Sequence, residues 1–350
     1  MVRFGLPEDD GQPTSRRQAR PERSSPERGA LRPFKVRTAW VDIVRSRFPG
    51  FASRGCVNLA GVMGEQNQND SSQQWMSARL LRVYAVEMIG TYVLVLFGTA
   101  SVAAAVLTGA LSGLGQVAAV WAVGVALGIY VSANVSGGHL NPAVTLSFAI
   151  FRPRAFSPKL LPGYWTAQIL GGVLAGLSVL LIFRTLIKRF EDAQGLVRGE
   201  AGSEHSAMVF GEYFPNPDVF GAGEEAGALI GVGGALFVEA FGTAILVLVI
   251  FALTEKRNGG LSRANMSPIL IGLTVAALIA LFAPLTQAGW NPARDFGPRL
   301  VSLFAGWDSI AIPGPSNGFW VYIAGPLIGG PIGAAIHEYI VRPGLPEDDE

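Results

Sequence analysis

The chain alternates long apolar stretches with short polar ones after a polar leader of about 80 residues. Apolar runs of about 20 residues have the length a helix needs to cross a hydrocarbon layer of ~30 Å. Six such spans are expected, near residues 84–107, 117–136, 164–187, 231–254, 267–287 and 318–340. Two shorter runs of helical character follow the second and fifth spans, at 144–151 and 294–304. At 1.5 Å per residue neither can cross the layer, so each is expected to be a half-helix that enters and turns back.

The pattern repeats. Val86-Glu87-x-x-Gly90-Thr91-x-x-Leu94-Val95-Leu96 returns 152 residues later as Val238-Glu239-x-x-Gly242-Thr243-x-x-Leu246-Val247-Leu248. Asn141-Pro142-Ala143 returns 150 residues later as Asn291-Pro292-Ala293. Each half thus holds an acid-bearing span, two further spans and one half-helix. Three spans per half is an odd number, so the halves insert with opposite orientation. The expected fold is an all-α membrane protein with six transmembrane helices and two re-entrant half-helices in an inverted repeat, an arrangement that puts a site at the midplane between the halves.

In each tripeptide Asn suits the N-cap and Pro the first helical position. Half-helices entering from opposite faces would meet N-terminus to N-terminus, and each end carries roughly half a positive charge. That barrier opposes cations and hydronium. Asn141 and Asn291 would cap their own helices through the side-chain oxygen and leave the amide NH₂ facing the cavity. The irregular stretches 136–140 and 287–290 would offer carbonyl acceptors. A neutral hydroxylated molecule finds both partners there; an ion does not.

Glu87 and Glu239 are ionisable groups inside spans. One reading makes them proton-relay or substrate groups; the other makes each carboxylate an acceptor for the irregular backbone of a re-entrant loop, which their symmetry-related placement favours. His139, beside the first tripeptide, suits a pore-lining or loop-fixing role, since no companion ligands for a metal are in evidence. Asn134-Val135-Ser136 matches a glycosylation sequon, but its membrane depth argues against use.

Composition and charge refine this picture. Half of the 350 residues are apolar, 15% are charged and 44 are glycine. Residues 1–78 are expected to form a disordered basic cytoplasmic tail, with Arg28, Arg32, Lys35, Arg37, Arg45, Arg47 and Arg54 at its middle. The apolar residues among them (Trp40, Val41, Ile43, Val44, Phe48) leave open a short interfacial helix on an anionic leaflet. Residues 79–342 are expected to form the membrane domain, with halves about 79–190 and 227–342 and an acidic outer loop about 188–226, and residues 343–350 an acidic tail. Arg79, Arg82, Arg152, Arg154, Lys159, Lys256, Arg257 and Arg263 all fall on the side of the termini, which the positive-inside rule makes cytoplasmic. Cys56 is the single cysteine, so no intrachain disulfide forms. The segment Gly5-Leu6-Pro7-Glu8-Asp9-Asp10 recurs at 344–349 for no physical reason we can identify. No nucleotide loop, metal cluster or nucleophile–base pair is present, so no enzyme, no metal, no cofactor and no nucleic-acid partner is expected.

The stretch Ser136-Gly137-Gly138-His139-Leu140-Asn141-Pro142-Ala143-Val144-Thr145, together with Asn291-Pro292-Ala293-Arg294-Asp295-Phe296-Gly297-Pro298-Arg299, resembles the major intrinsic protein family, the aquaporins and glycerol facilitators. The resemblance covers about residues 80–340. It implies a plasma-membrane homotetramer with one pore per subunit, passing water and small neutral solutes through the lipid bilayer. It also implies a narrow point, found by counting from the asparagines, at Trp121, Ile279, Ala288 and Arg294. Asp295 and Arg299 resemble the glycerol-conducting branch, as does the long outer loop. Ala288 departs from that branch, where an aromatic is usual, as do Tyr322-Ile323, where Pro-Leu is common. The Trp-Ile-Ala-Arg set is similar to that of some plant members that pass glycerol and metalloid acids, and the long basic tail resembles fungal members. The expected function is a passive channel, chiefly for glycerol, that excludes ions and protons. The alternatives are a secondary transporter, since intramembrane acids also occur there, or a closed structural membrane protein.

Overall fold

The computed structural model describes residues 56–258 and 265–346, with residues 56–76 and Glu224 as backbone only. The basic tail through Arg54, Arg263 and the last four residues lie outside the described residues. The chain divides into two units, Met1–Asn69 and Asp70–Glu350, and the described backbone of the first is helical from Cys56.

Among the described residues every regular element is helical. The long helices are α1 (Cys56–Thr108), α2 (Leu114–Ser136), α4 (Leu161–Gln194), α5 (Val232–Leu253), α6 (Ser267–Thr286) and α8 (Val321–Ile336). Two short ones, α3 (Pro142–Phe151) and α7 (Pro292–Ser302), follow α2 and α6. Six apolar segments are long enough to cross a membrane: Ser77–Thr108, Leu114–Ser136, Pro158–Gln194, Val232–Leu253, Ser267–Thr286 and Pro315–Gly344. At ten residues, α3 is about 15 Å long, half the hydrocarbon thickness.

Two boundaries differ from the sequence expectation, and one loop is more ordered than its composition implies. Residues 56–78 are helical although their composition reads as tail; no proline interrupts them, and extending an existing helix avoids the cost of nucleation. Helix α4 runs on to Gln194, so residues 188–194, expected in the outer loop, are its last turns. The Lys188–Asp192 pair one turn apart (2.8 Å) supports those turns. Gly195, left-handed at φ 63°, stops them. The loop itself folds inward: Ala207, Val209, Phe210, Glu212, Tyr213 and Asn216 are buried within it.

Close helix contact positions the site. On α8, Gly329 and Gly333 sit against the Ala240 and Ala244 carbonyls of α5, where an added Cβ would collide with backbone. Gly172 of α4 and Gly297 of α7 press on each other's backbone in the same way. Small residues let helices approach where lipid supplies no hydrophobic drive between them. At the end of α3, Arg152 donates to Glu338 (2.8 Å) and Glu255 (3.3 Å) and lies 4.4 Å over the Phe251 ring. One cation thereby ties the end of α3 to the ends of α5 and α8.

Candidate conduction site

Each half-helix begins as its sequence predicts. Asn141 is extended (φ −154°) and its Oδ1 accepts from the Ala143 N–H at 2.8 Å. Asn291 (φ −146°) accepts from Ala293 at 3.0 Å and Arg294 at 3.3 Å. The amide nitrogens do something the sequence did not suggest. Asn141 Nδ2 donates to the Trp290 carbonyl at 2.9 Å, and Asn291 Nδ2 donates to the Leu140 carbonyl at 2.8 Å. Each loop therefore clasps the other. One hydrogen of each amide is used in the clasp and one is left, so the donors are only in part free to face the cavity.

The loops ahead of the half-helices are held in unusual backbone. Gly137, Gly138 and Leu140 have positive φ in the first, and Gln287, Ala288 and Trp290 in the second. Non-glycine residues there cost of order 1–3 kcal/mol each unless their surroundings fix them. The two buried glutamates fix them. Glu87 accepts from Leu140 N (2.6 Å), Ser136 Oγ (2.6 Å) and Gln168 Nε2 (2.8 Å). Glu239 accepts from Trp290 N (2.7 Å), Gly289 N (3.0 Å) and Thr286 Oγ1 (2.7 Å). Neither side chain is among those lining the cavities described next. His139 stacks on Phe148 (centroids 4.7 Å apart) and packs near Phe156 and Tyr164, fixing the loop by ring contact.

Two cavities meet at one plane. The first is lined by Leu140, Asn141, Ala288, Gly289 and Asn291 near the clasp, then by Val144, Phe148, Ile250 and Thr254. The second opens on the face carrying the 195–231 connection and is lined by Glu212, Asn216, Asp218 and Gln287. Trp121, Ile279 and Arg294 line both, so they form the wall between them. Ala288 lines only the first.

Arg294 is buried (3% exposed) and held from three sides. Its Nη1 donates to the Phe210 carbonyl at 3.2 Å, its Nη2 forms an ion pair with Glu212, and its Cζ lies 4.5 Å over the Trp121 ring. The guanidinium face thus rests on a π-surface and its Nη atoms are held by the 195–231 connection, while the buried Nε keeps no protein partner among the described residues. Burial pushes the Glu212 carboxyl up to about 8, against the opposing pull of Arg294.

Asp295 and Arg299 lie behind this wall, away from both cavities. Arg299 donates to Asp295 through Nε and Nη2 (both 2.8 Å), to the Ala311 carbonyl (2.9 Å), and to the Glu212 carbonyl. Asp295 Oδ1 in turn accepts from the Glu212 N–H at 2.7 Å. The pair buttresses the segment that carries Glu212. Gln287 adds another tie, its Oε1 accepting from Tyr213 N at 2.7 Å. Glu212 and Phe210 were invisible as site residues in the sequence. The one available sign was Gly211-Glu212-Tyr213-Phe214-Pro215, an aromatic and proline cluster inside an otherwise acidic loop.

Six spans, two clasped half-helices and two cavities that meet at Trp121, Ile279 and Arg294 define an inverted-repeat membrane channel. The chain belongs to the major intrinsic protein family, whose profile matches residues 74–337. It is 41% identical over 262 residues to the "Glycerol uptake facilitator protein" of Pseudomonas aeruginosa, covering 74% of this chain and 88% of that protein. It is 37% identical over 265 residues to the "Propanediol uptake facilitator PduF" of Citrobacter freundii, covering 74% and 92%. The aquaglyceroporin from Plasmodium falciparum shares the fold at a TM-score of 0.62 and 25% identity, covering 75% of this chain and 98% of that one. The likeness of the basic tail to fungal members concerns residues outside the matched range.

Proposed function

We propose that this integral membrane protein conducts glycerol and similarly sized neutral solutes passively, together with water, and excludes ions and protons. The observation that carries the reading is the wall between the two cavities. It opposes an indole and an aliphatic side chain, Trp121 and Ile279, to a fixed guanidinium, Arg294. A polyol has a hydrocarbon edge and a hydroxyl edge. Trp121 and Ile279 meet the first without competing for its water, and Arg294 replaces hydrogen bonds lost by the second. Asn141 and Asn291 each retain an amide hydrogen for the next hydroxyl along the path. Arg294 and the two helix N-termini supply positive charge against cations. The names of the relatives, which take up glycerol or propanediol, agree in solute class.

In this reading Ala288 widens the fourth side of the narrow point, Glu87, Glu239 and His139 hold the loops, and Asp295 and Arg299 hold the outer connection. The protein catalyses no reaction and couples to no ion gradient. It sits in the plasma membrane with both termini cytoplasmic, as a homotetramer with one pore per subunit. The reading is tested with liposomes holding the purified protein. In a hypertonic glycerol step they should shrink and then reswell, with an internal pH dye unchanged. Liposomes that shrink and stay shrunken, or glycerol entry that moves the dye, would overturn it.

A further inference from the structure

Gly98 stands in the interior of α1, where alanine would make the better helix residue. A Cβ built there runs into Cη2, Cζ2 and Cζ3 of Trp121. All three atoms belong to the six-membered ring of the indole, so they cannot yield singly; the whole ring must move. The ring has little choice of direction. Arg294 lies over the indole with its Cζ 4.5 Å from the ring centroid. That guanidinium is itself fixed by the Phe210 carbonyl and by Glu212. The indole is thus boxed between α1 and the charged side of the narrow point, and it faces both cavities.

We propose that Gly98 is a specificity-determining residue, one that never touches solute: the missing side chain is the recess into which Trp121 withdraws, and its depth sets the opening offered to a carbon backbone. One added methyl would move the indole into the lumen. Water, the smaller permeant, would lose less than glycerol. This inference rests on the conduction reading above.

The test compares wild type, Gly98→Ala, Trp121→Phe and the double variant in liposomes, with water and glycerol rates taken on the same preparations. Gly98→Ala should slow glycerol roughly tenfold, equivalent to ~1.4 kcal/mol at the narrow point, with water reduced less. Phenylalanine lacks the distal ring edge that meets position 98. In the Trp121→Phe background Gly98→Ala should therefore leave the glycerol rate within about threefold of Trp121→Phe alone. Coupling of this kind is not expected if the glycine only serves helix packing. The proposal fails if Gly98→Ala conducts glycerol like wild type, or if the loss is as large with phenylalanine at 121. Should Gly98→Ala alone not assemble, the phenylalanine background decides: a double variant that also fails to assemble overturns the proposal. A wild type that passes no glycerol removes the conduction reading and this one together; a conducting wild type with an indifferent position 98 removes this one alone.

Discussion

Glu212 and Arg294 meet as a buried ion pair at the wall between the two cavities, although one belongs to the 195–231 connection and the other to half-helix α7. Glu212 is 1% exposed. Burial, the largest cause, raises the carboxyl to about 8; the Asp295 and Glu239 carboxylates push the same way, and Arg294 and Arg299 pull against them. A carboxyl raised on folding binds its proton more tightly in the folded state than in the unfolded one, where ~4.3 is usual. Its contribution to stability is complete below the unfolded value and is lost as pH rises through about 8. The thermal unfolding midpoint of detergent-purified protein should therefore carry a component that falls between about pH 5 and 8. Glu212→Gln removes that component. Identical pH slopes for the two proteins would show that Glu212 does not titrate in this window.

Removing Arg294 should affect both permeation and stability. Arg294→Val should admit protons or small cations while neutral flux persists, read as dye response and current beside glycerol reswelling. It also strands the Glu212 carboxyl, and above about pH 8, where that group is ionised, breaking one side of a buried pair commonly costs about 3–5 kcal/mol. Arg294→Val with Glu212→Gln should therefore unfold at a higher temperature than Arg294→Val alone. If the single variant remains proton-tight, the charge barrier lies elsewhere, at the two helix ends.

Trp121 and Ile279 are the apolar side of the wall. Trp121→Phe with Ile279→His replaces part of that apolar side with a polar imidazole that binds water well. Glycerol flux should fall at least roughly tenfold, and water flux much less, in stopped-flow light scattering. Equal proportional losses would mean that the plane sets overall area without discriminating between solutes.

Glu239→Gln separates a loop-holding role from a proton-carrying one. The carboxylate accepts three hydrogen bonds, two of them from the N–H groups of Gly289 and Trp290. A primary amide puts an NH₂ against one of those donors, at a cost of roughly 1–3 kcal/mol. Thermal stability should drop and water and glycerol rates should fall together, because fewer molecules hold the loop. A variant of unchanged stability that loses only a pH-driven component of uptake would assign Glu239 to proton transfer.

The six spans and both half-helices were legible because a bilayer imposes a length on every apolar run and because Asn-Pro-Ala occurs twice. The end of α4 was not. Residues 188–194 look like loop by polarity, and only the Lys188–Asp192 spacing hints that the helix continues. Trp121, Ile279 and Arg294, which line both cavities, came to notice only through the family resemblance, which supplies the count from the asparagines; spacing alone reads Trp121 as packing. The partners of Arg294 could not be found even by that count: Phe210 and Glu212 lie 84 and 82 residues away in a connection whose inward fold no local pattern encodes. Asp295 and Arg299 were visible as a pair, but their support of the Glu212 backbone depends on the same hidden fold.

The clasp between the two half-helix loops bears on how the protein is made. Asn141 needs the Trp290 carbonyl, and the Leu140 carbonyl needs Asn291. While the ribosome has delivered only the first three spans, one amide and one carbonyl wait without partners at a depth where water is scarce. The first half is thus an unfinished product until residues some 150 positions later have been inserted. A chain severed within the 195–231 connection should be degraded when either piece is made alone. The two pieces should protect one another when made together. Assembly of the pore is then the closing event of biogenesis, and membrane quality control can read an unclasped loop as the mark of an incomplete chain.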